Sequence, residues 1–389
     1  MLNSLTDPAL YETGDPWPVW QKMRTQPGLV WTTEPDGPGF WSVTRYADAA
    51  HVLGAWEQFS SQPGTTLEGN RWVEDPAARK MLPLMDPPLH GIMRNYLAAE
   101  FTASHVARHA EALRTDIEAI VRRAAETGSI CIDAVLGRYV PSQIALALFG
   151  TSRDDAQRFA EVIDGTLSTD EDVRALADAE LLLLVQELIW EQRRDQGDNV
   201  VSRICANTSS DPRIAEEAVL LTILSLIQAG LTTTRLAING MFAAFAESGE
   251  QWRRLREGTI SMKVAIEEVL RWTSPALAVV RTASTDGTVA GTAVAAGAQL
   301  VVWLPSANRD EAAFAEADRF IPDRTDNRHL GFGNGIHRCI GMALARLELT
   351  IILQSAAKQW TELALQHQPR RLRSLVLHGA DKVELAVRP

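Results

Sequence analysis

The segment 330–349 reads LGFGNGIHRCIGMALARLEL and places Cys339 between a glycine-rich loop and a run of apolar residues at helical spacing. A thiolate at a helix N-terminus is stabilised by the helix dipole and by free backbone N–H groups, and Arg338 and His337 add positive charge nearby. Glycine accepts positive φ and has no side chain, so the loop can fold closely under a large flat ligand. The segment therefore predicts an activated sulfur beside such a ligand.

The other two cysteines, Cys131 and Cys205, have no comparable setting. Three scattered cysteines are too few for a disulfide framework, and none belongs to a C-x-x-C pair. An isolated cysteine is ordinarily an inert buried residue, and this interpretation suits both. A bound metal would therefore have few protein ligands.

The pattern Phe332-x-x-Gly335-x-x-x-Cys339-x-Gly341 resembles the cysteine-loop signature of the cytochrome P450 family, with every fixed position filled. The resemblance implies a haem b cofactor with Cys339 as its metal ligand. It also implies that Phe332, with Gly333 and Gly341, lies against the haem, and that His337 reaches a haem propionate. Thiolate ligation favours O–O cleavage, so the cofactor and this ligand together predict O2 activation.

Three further residues resemble the propionate-binding groups of the family. His90 and Arg94 lie four residues apart in DPPLHGIMRNYL, on one face of a predicted helix, and Arg281 follows on a predicted strand. Together with His337 they would pair with two carboxylates that are otherwise costly to desolvate.

Glu268 and Arg271 lie three residues apart in EEVLRWTSP, and Arg324 closes FIPDR. An isolated E-x-x-R is usually a surface ion pair. Here its position before the cysteine loop is similar to the Glu-Arg-Arg triad of the family. The resemblance implies a structural role for all three residues.

The stretch LSLIQAGLTTTR contains Ala229-Gly230-x-x-Thr233, which looks like the family's oxygen-binding groove. Cleaving O2 requires protons at the distal oxygen, and the family usually supplies them through an acid followed by an alcohol. Thr233 matches the alcohol, but Thr232 stands where the acid is expected. Water, Thr232 or a polar group of the substrate could replace that acid, or the enzyme could perform radical coupling instead.

The predicted substrate contacts are mostly apolar and predict a largely apolar, possibly aromatic, small molecule. They are Trp72, Leu226, Leu277, Ala278, Val279 and Val280.

The composition excludes some partners. Lys plus Arg total 38 against 49 acids, a formal charge of -11, which argues against nucleic acid or an anionic membrane. The first residues show no signal or membrane-spanning pattern, so we expect a cytoplasmic protein. The family resemblance implies electrons from NAD(P)H through a ferredoxin and a ferredoxin reductase that dock near Arg338 and Arg346.

We predict a mainly α fold with a small β part, a triangular helical prism around haem in one domain spanning 1–389. Asp86-Pro87 predicts a helix start running towards Ala99, and Asp211-Pro212 a long helix reaching about Phe245. The predicted strands are 39–44, 279–283, 299–304 and 382–387.

The sequence thus predicts a haem-thiolate monooxygenase that oxidises a small molecule, in natural-product tailoring. Oxidative C–C or C–N coupling without oxygen transfer is the alternative within the same enzyme class. A haem-containing binding protein without turnover is a third hypothesis, which the intact Cys339 and Thr233 argue against.

Overall fold

The structure is a computed structural model that describes residues 5–34, 37–68, 73–195 and 197–389. Its helices are, in chain order, α1 (Ala9–Glu12), α2 (Trp17–Arg24), α3 (Tyr46–Gly54), α4 (Leu89–Ala98), α5 (Ala103–Val106), α6 (Ala110–Thr127), α7 (Tyr139–Phe149), α8 (Arg153–Thr166), α9 (Glu171–Asp195), α10 (Val200–Thr208), α11 (Glu216–Glu247), α12 (Gly249–Arg256), α13 (Met262–Thr273), α14 (Leu304–Ala307) and α15 (Met342–Gln359).

The strands are short. They are β1 (Val30–Glu34), β2 (Gly37–Val43), β3 (Phe59–Ser60), β4 (Ser129–Cys131), β5 (Ala278–Ala283), β6 (Gly287–Val289), β7 (Thr292–Val294), β8 (Gln299–Trp303), β9 (Glu362–Leu365), β10 (Arg370–Arg371), β11 (Ala380–Lys382) and β12 (Glu384–Arg388). The prediction of a mainly helical fold with a small β part is confirmed.

Helix α11 organises the helical part of the fold. It has 32 residues and packs against α7, α8, α9, α10, α12, α13 and α15. By length and composition alone it could cross a membrane, but half of its apolar window is buried inside the protein. An interior helix of a soluble protein passes the same test, and α11 occupies such a position here.

The largest sheet has the strand order β1-β2-β8-β5-β3. Strand β5 pairs antiparallel with β8, with Val279 opposite Val302 and Arg281 opposite Leu300. Alternate residues of a strand point to opposite faces. Val279 and Arg281 therefore share one face, and Val280 lies on the other.

Both predicted helix starts were wrong by a few residues. Helix α4 begins at Leu89 and α11 at Glu216, and neither has a side-chain cap. The Asp86 carboxylate is bound by Ser60 and Ser61 instead. Asp211 accepts hydrogen bonds from Arg213 and from Tyr96 Oη at 2.7 Å, in a turn before α11.

Candidate haem-thiolate site

The loop before α15 holds Cys339 at the end of a tight turn. The Cys339 backbone N–H donates to the Phe332 carbonyl at 2.9 Å. Gly333 and Gly335 each have φ of +69°, a conformation that side chains rarely adopt. A Cβ on Gly335 would lie 2.6 Å from the Leu53 carbonyl oxygen. The glycines thus let this loop pass close under α3.

The Cys339 side chain is accessible because it lies at the wall of a large cavity. Burial within the surrounding protein raises the pKa of its thiol, while the Gly341 N–H and the Arg94 and Arg346 guanidinium groups act to lower it. We expected local positive charge to dominate, and that expectation was wrong for the protein alone. A thiol that coordinates a metal ion is deprotonated by the metal itself.

Cationic groups gather at the same cavity, with His90, Arg94, Arg281 and His337 all along its wall. The His90 and His337 rings pack edge to face, with their centroids 4.4 Å apart. The His337 Nε2 lies 2.9 Å from Ser61 Oγ and 3.7 Å from Asp86 Oδ1. Arg94 Nη2 donates to the Arg338 carbonyl at 2.7 Å, which ties α4 to the cysteine loop.

These groups lack anionic partners in proportion to their burial. His90 Nε2 is buried with no hydrogen-bond partner among the described residues. Burial, with repulsion from His337 and Arg94, lowers the pKa of His90 to about 4. Burial also lowers the pKa of Arg281 to about 10, and the hydrogen bond from its Nη1 goes to the Val280 carbonyl. Two carboxylates would satisfy this set.

The residues therefore fit a haem. Cys339 offers a thiolate to the iron, and His90, Arg94, Arg281 and His337 offer donors to the propionates. Phe332, Gly333 and Gly341 line the same cavity. Haem bound through a thiolate supplies the capacity to activate O2.

Glu268, Arg271 and Arg324 meet behind the cysteine loop. Arg271 and Glu268 form two hydrogen bonds, of 2.7 and 2.8 Å, and both side chains have 0% exposure. Arg324 Nε donates to Glu268 Oε2 at 3.0 Å. The Glu268 carboxylate also accepts the Ile321 N–H at 2.7 Å. The three residues contact only protein groups in these interactions, and they fix the segment that leads into residue 330.

The turn of α11 that contains Ala229, Gly230, Thr232 and Thr233 lies along the cavity. Thr233 Oγ1 donates to the Ala229 carbonyl at 2.8 Å, and Thr232 Oγ1 donates to the Gln228 carbonyl at 2.8 Å. Both hydroxyls are thus bound to the preceding turn of their own helix. Thr232 has 4% exposure, whereas Thr233 is half-buried.

Glu348 lines this cavity too, and the motif search did not identify it. Its side chain is buried on α15, and burial raises the pKa of its carboxyl to about 8, although a hydrogen bond with Thr234 opposes the shift. Glu348 is therefore mostly neutral near pH 7. A carboxyl within the apolar run MALARLEL was the signal that could have identified it.

The cavity measures about 1010 Å³ and combines the haem-binding residues with apolar walls. Leu226, Ala278 and Val279 line it, as predicted, and so do Leu148, Phe149 and Val376.

Two predicted substrate contacts were wrong. Leu277 and Val280 lie in a hydrophobic cluster with Trp20 and Trp303, because β5 turns this face away from the cavity. Trp72 lies outside the described residues.

Arg346 offers less free charge for a partner than the sequence suggested. Its Nε and Nη2 each donate to a Glu267 carboxylate oxygen at 2.7 Å, which neutralises the guanidinium. Arg338 is exposed.

Comparison with known proteins agrees with this geometry. The family described as Cytochrome P450 matches residues 261–369. Cytochrome P450 126 of Mycobacterium tuberculosis is 32% identical over 90% of this chain and 89% of its own length. Cytochrome P450 NovI of Streptomyces niveus is 28% identical over 98% and 96% of the two chains. The crystal structure of P450 OxyD, involved in the biosynthesis of vancomycin-type antibiotics, superposes with a TM-score of 0.90 at 29% identity, covering 99% of each chain.

The fold and the thiolate site define a haem-dependent oxidoreductase, and the chain belongs to the cytochrome P450 family, of the bacterial type. It is an enzyme of the monooxygenase class that uses haem iron and O2. Reducing equivalents come from NAD(P)H through separate electron-transfer partners, and the substrate is a small molecule.

Proposed function

We propose that the enzyme inserts one oxygen atom from O2 into a largely apolar small molecule, in the tailoring of a natural product. The observation that carries this proposal is one cavity with Cys339, the Ala229–Thr233 turn and apolar walls along its sides. A substrate in that cavity would lie between the oxygen-side turn and Leu226, Ala278 and Val279. NovI and OxyD, by name or title proteins of antibiotic-producing pathways or organisms, are consistent with a tailoring role.

In this proposal Thr233 delivers a proton to bound oxygen. Its hydroxyl is half-buried and lies along the cavity, where it can exchange its hydrogen bond to Ala229 for one to a ligand. Ala229 and Gly230 leave room beside it, because neither has a side chain larger than a methyl group. Thr232 is bound to Gln228 and contributes no acid.

We assign the missing acid's role as proton donor to Glu348. A carboxyl with a pKa of about 8 carries a proton at neutral pH and can release it during turnover. Its hydrogen bond with Thr234 places it next in sequence contact to Thr233. Ordered water would complete the path between the carboxyl and the hydroxyl.

Oxidative C–C or C–N coupling is the second candidate, and the threonine at position 232 favours it. A reaction that abstracts hydrogen and joins two carbon centres needs no oxygen atom in the product.

The two candidates are separated with ¹⁸O2, a surrogate ferredoxin and its reductase, and a ligand chosen from a spectral binding screen. Oxygen insertion predicts a product heavier by one ¹⁸O atom. A product that has lost two hydrogen atoms and gained no label would support coupling instead.

We further propose a ferredoxin as the direct electron donor and the cytoplasm as the site of action. Arg338 is exposed at the cysteine loop and supplies a positive contact within an acidic protein. The same acidic balance gives no support to a nucleic-acid or membrane partner. A single catalytic domain spanning 1–389 is part of this proposal.

A further inference from the structure

Helix α9 carries an unusual share of exposed apolar surface. Seven large apolar side chains are exposed in the part of the chain described, and four of them lie on α9: Val173, Leu176, Leu183 and Trp190. Their exposed fractions are 46%, 73%, 63% and 63%, respectively. Scattered exposed apolar residues are ordinary on a protein surface, but a cluster on one element marks an interaction site.

The four residues form one stripe. Leu176, Leu183 and Trp190 are spaced seven residues apart, which is close to two helical turns, so they line one face over roughly 21 Å. The opposite face of α9 is already used, because Leu181, Leu184 and Leu188 are buried in the core. A surface helix normally has one apolar face. The second face of α9 is thus available to a partner.

The charges at the two ends of α9 determine which partner fits. Glu171 and Asp172 lie in its first turn, and Arg193 and Arg194 in its last. Two parallel copies of this helix would place acid against acid and base against base. Two antiparallel copies place the acidic start of each helix against the basic end of the other, and their helix dipoles also oppose.

The sequence around Leu183 is also compatible with a two-fold axis. Leu176 and Trp190 lie seven residues to either side of Leu183, and Asp172 and Arg194 lie eleven residues to either side. An antiparallel pair centred on Leu183 would therefore bring Leu183 against its copy, Leu176 against Trp190, and Asp172 against Arg194. Such a contact is self-complementary, as a two-fold interface must be.

We propose that this chain forms a homodimer through antiparallel pairing of α9, with the two-fold axis at Leu183. Existing contacts do not oppose the pairing. Arg194 is bound to the neighbouring Asp195 in an exposed pair with 57% and 60% side-chain exposure, and exposed pairs exchange partners at little cost. Its guanidinium also lies 4.9 Å from the Trp190 ring centre, so the charge already borders the stripe.

Dimerisation would act on an element next to the cavity. The connection from α8 to α9 contributes Leu167, Ser168 and Thr169 to the cavity lining, and α9 itself contributes Arg174. The proposed dimer therefore joins two copies through the helix that continues from this wall.

The test is sedimentation velocity of the haem-loaded protein from about 1 to 200 µM, the range suited to a contact below the standard interface size. We expect a dimer that dissociates on dilution. Leu183→Glu would place two carboxylates together on the axis and should weaken the dimer about tenfold or more, since like charges brought together in an interface cost several kcal/mol. The matched control is Val73→Glu, which makes the same change at a 61% exposed apolar residue outside α9.

Charge reversal tests the register. Asp172→Arg and Arg194→Asp should each weaken the dimer, and the double variant should restore it. All variants are compared at equal haem content. A wild-type protein that is monomeric throughout, a dimer insensitive to Leu183→Glu, or a double variant that is not restored would overturn the proposal. A monomer that instead binds vesicles of phosphatidylcholine and phosphatidylglycerol would also overturn it, since the stripe would then be a lipid contact.

Discussion

Arg271 is the side chain whose loss should damage the haem-binding scaffold most. Its guanidinium donates five hydrogen bonds, two to Glu268 and one each to the Asn308, Ala317 and Arg319 carbonyls. Replacing it with alanine leaves the Glu268 carboxylate without its main counter-ion at 0% exposure. Breaking a buried pair in this way costs about 3–5 kcal/mol.

That cost converts into a measurable shift in melting temperature. An unfolding entropy of about 2.1 cal/mol/K per residue gives roughly 0.8 kcal/mol/K for a chain of this length, so Arg271→Ala should lower the Tm by about 4–6 °C. We also expect a lower ratio of haem to protein, because Glu268 holds the segment before the cysteine loop through Ile321 and Arg324. Circular dichroism melting and the haem-to-protein absorbance ratio measure the two effects.

The matched control is Arg253→Ala on α12. Arg253 forms exposed ion pairs with Glu250 and Glu257, with side-chain exposures of 55%, 62% and 49%. Exposed pairs contribute about 0–1 kcal/mol, so the Tm should change by roughly 1 °C or less. If Arg271→Ala matches this control in both Tm and haem content, the assignment of Arg271 to the scaffold is wrong.

Two further predictions concern protons. Thr233→Ala should uncouple turnover, with more peroxide and less product per NAD(P)H consumed, because proton-transfer groups contribute about 100- to 10,000-fold to rate; an unchanged coupling ratio contradicts the relay. Glu348→Gln tests the buried carboxyl, whose pKa is raised from 4.5 to about 8. Since the folded protein binds this proton more tightly than the unfolded chain, its stabilising contribution is complete below pH 4.5 and is lost as the pH rises through about 8. The Tm of Glu348→Gln relative to wild type should therefore rise between pH 5 and pH 9, and a constant difference would show that the carboxyl does not titrate there.

The cysteine loop was predictable because its requirements are local. Gly333 and Gly335 adopt positive φ, and the helix that begins at Met342 follows from apolar spacing in the same segment. Residue types and spacing are enough to identify such a site.

Positions set by tertiary contacts were less predictable. Leu277 and Val280 were predicted to contact substrate, but β5 is apolar on both faces, so the sequence could not show which face borders the cavity. Asp86 and Asp211 resemble helix caps, yet each is bound by more distant partners, Ser61 and Tyr96 among them. Glu348 has no local pattern beyond a charge in an apolar run, and only the fold places it at the cavity.

The thiolate ligand is the central claim, and the absorption spectrum of the reduced, carbon monoxide-bound protein tests it most directly. Cys339 contributes the sulfur at the cavity wall, and thiolate ligation gives this complex a red-shifted absorption band. We predict that wild type shows the band and that Cys339→Ser lacks it while remaining folded by circular dichroism. Persistence of the red-shifted band in haem-loaded Cys339→Ser would contradict the account.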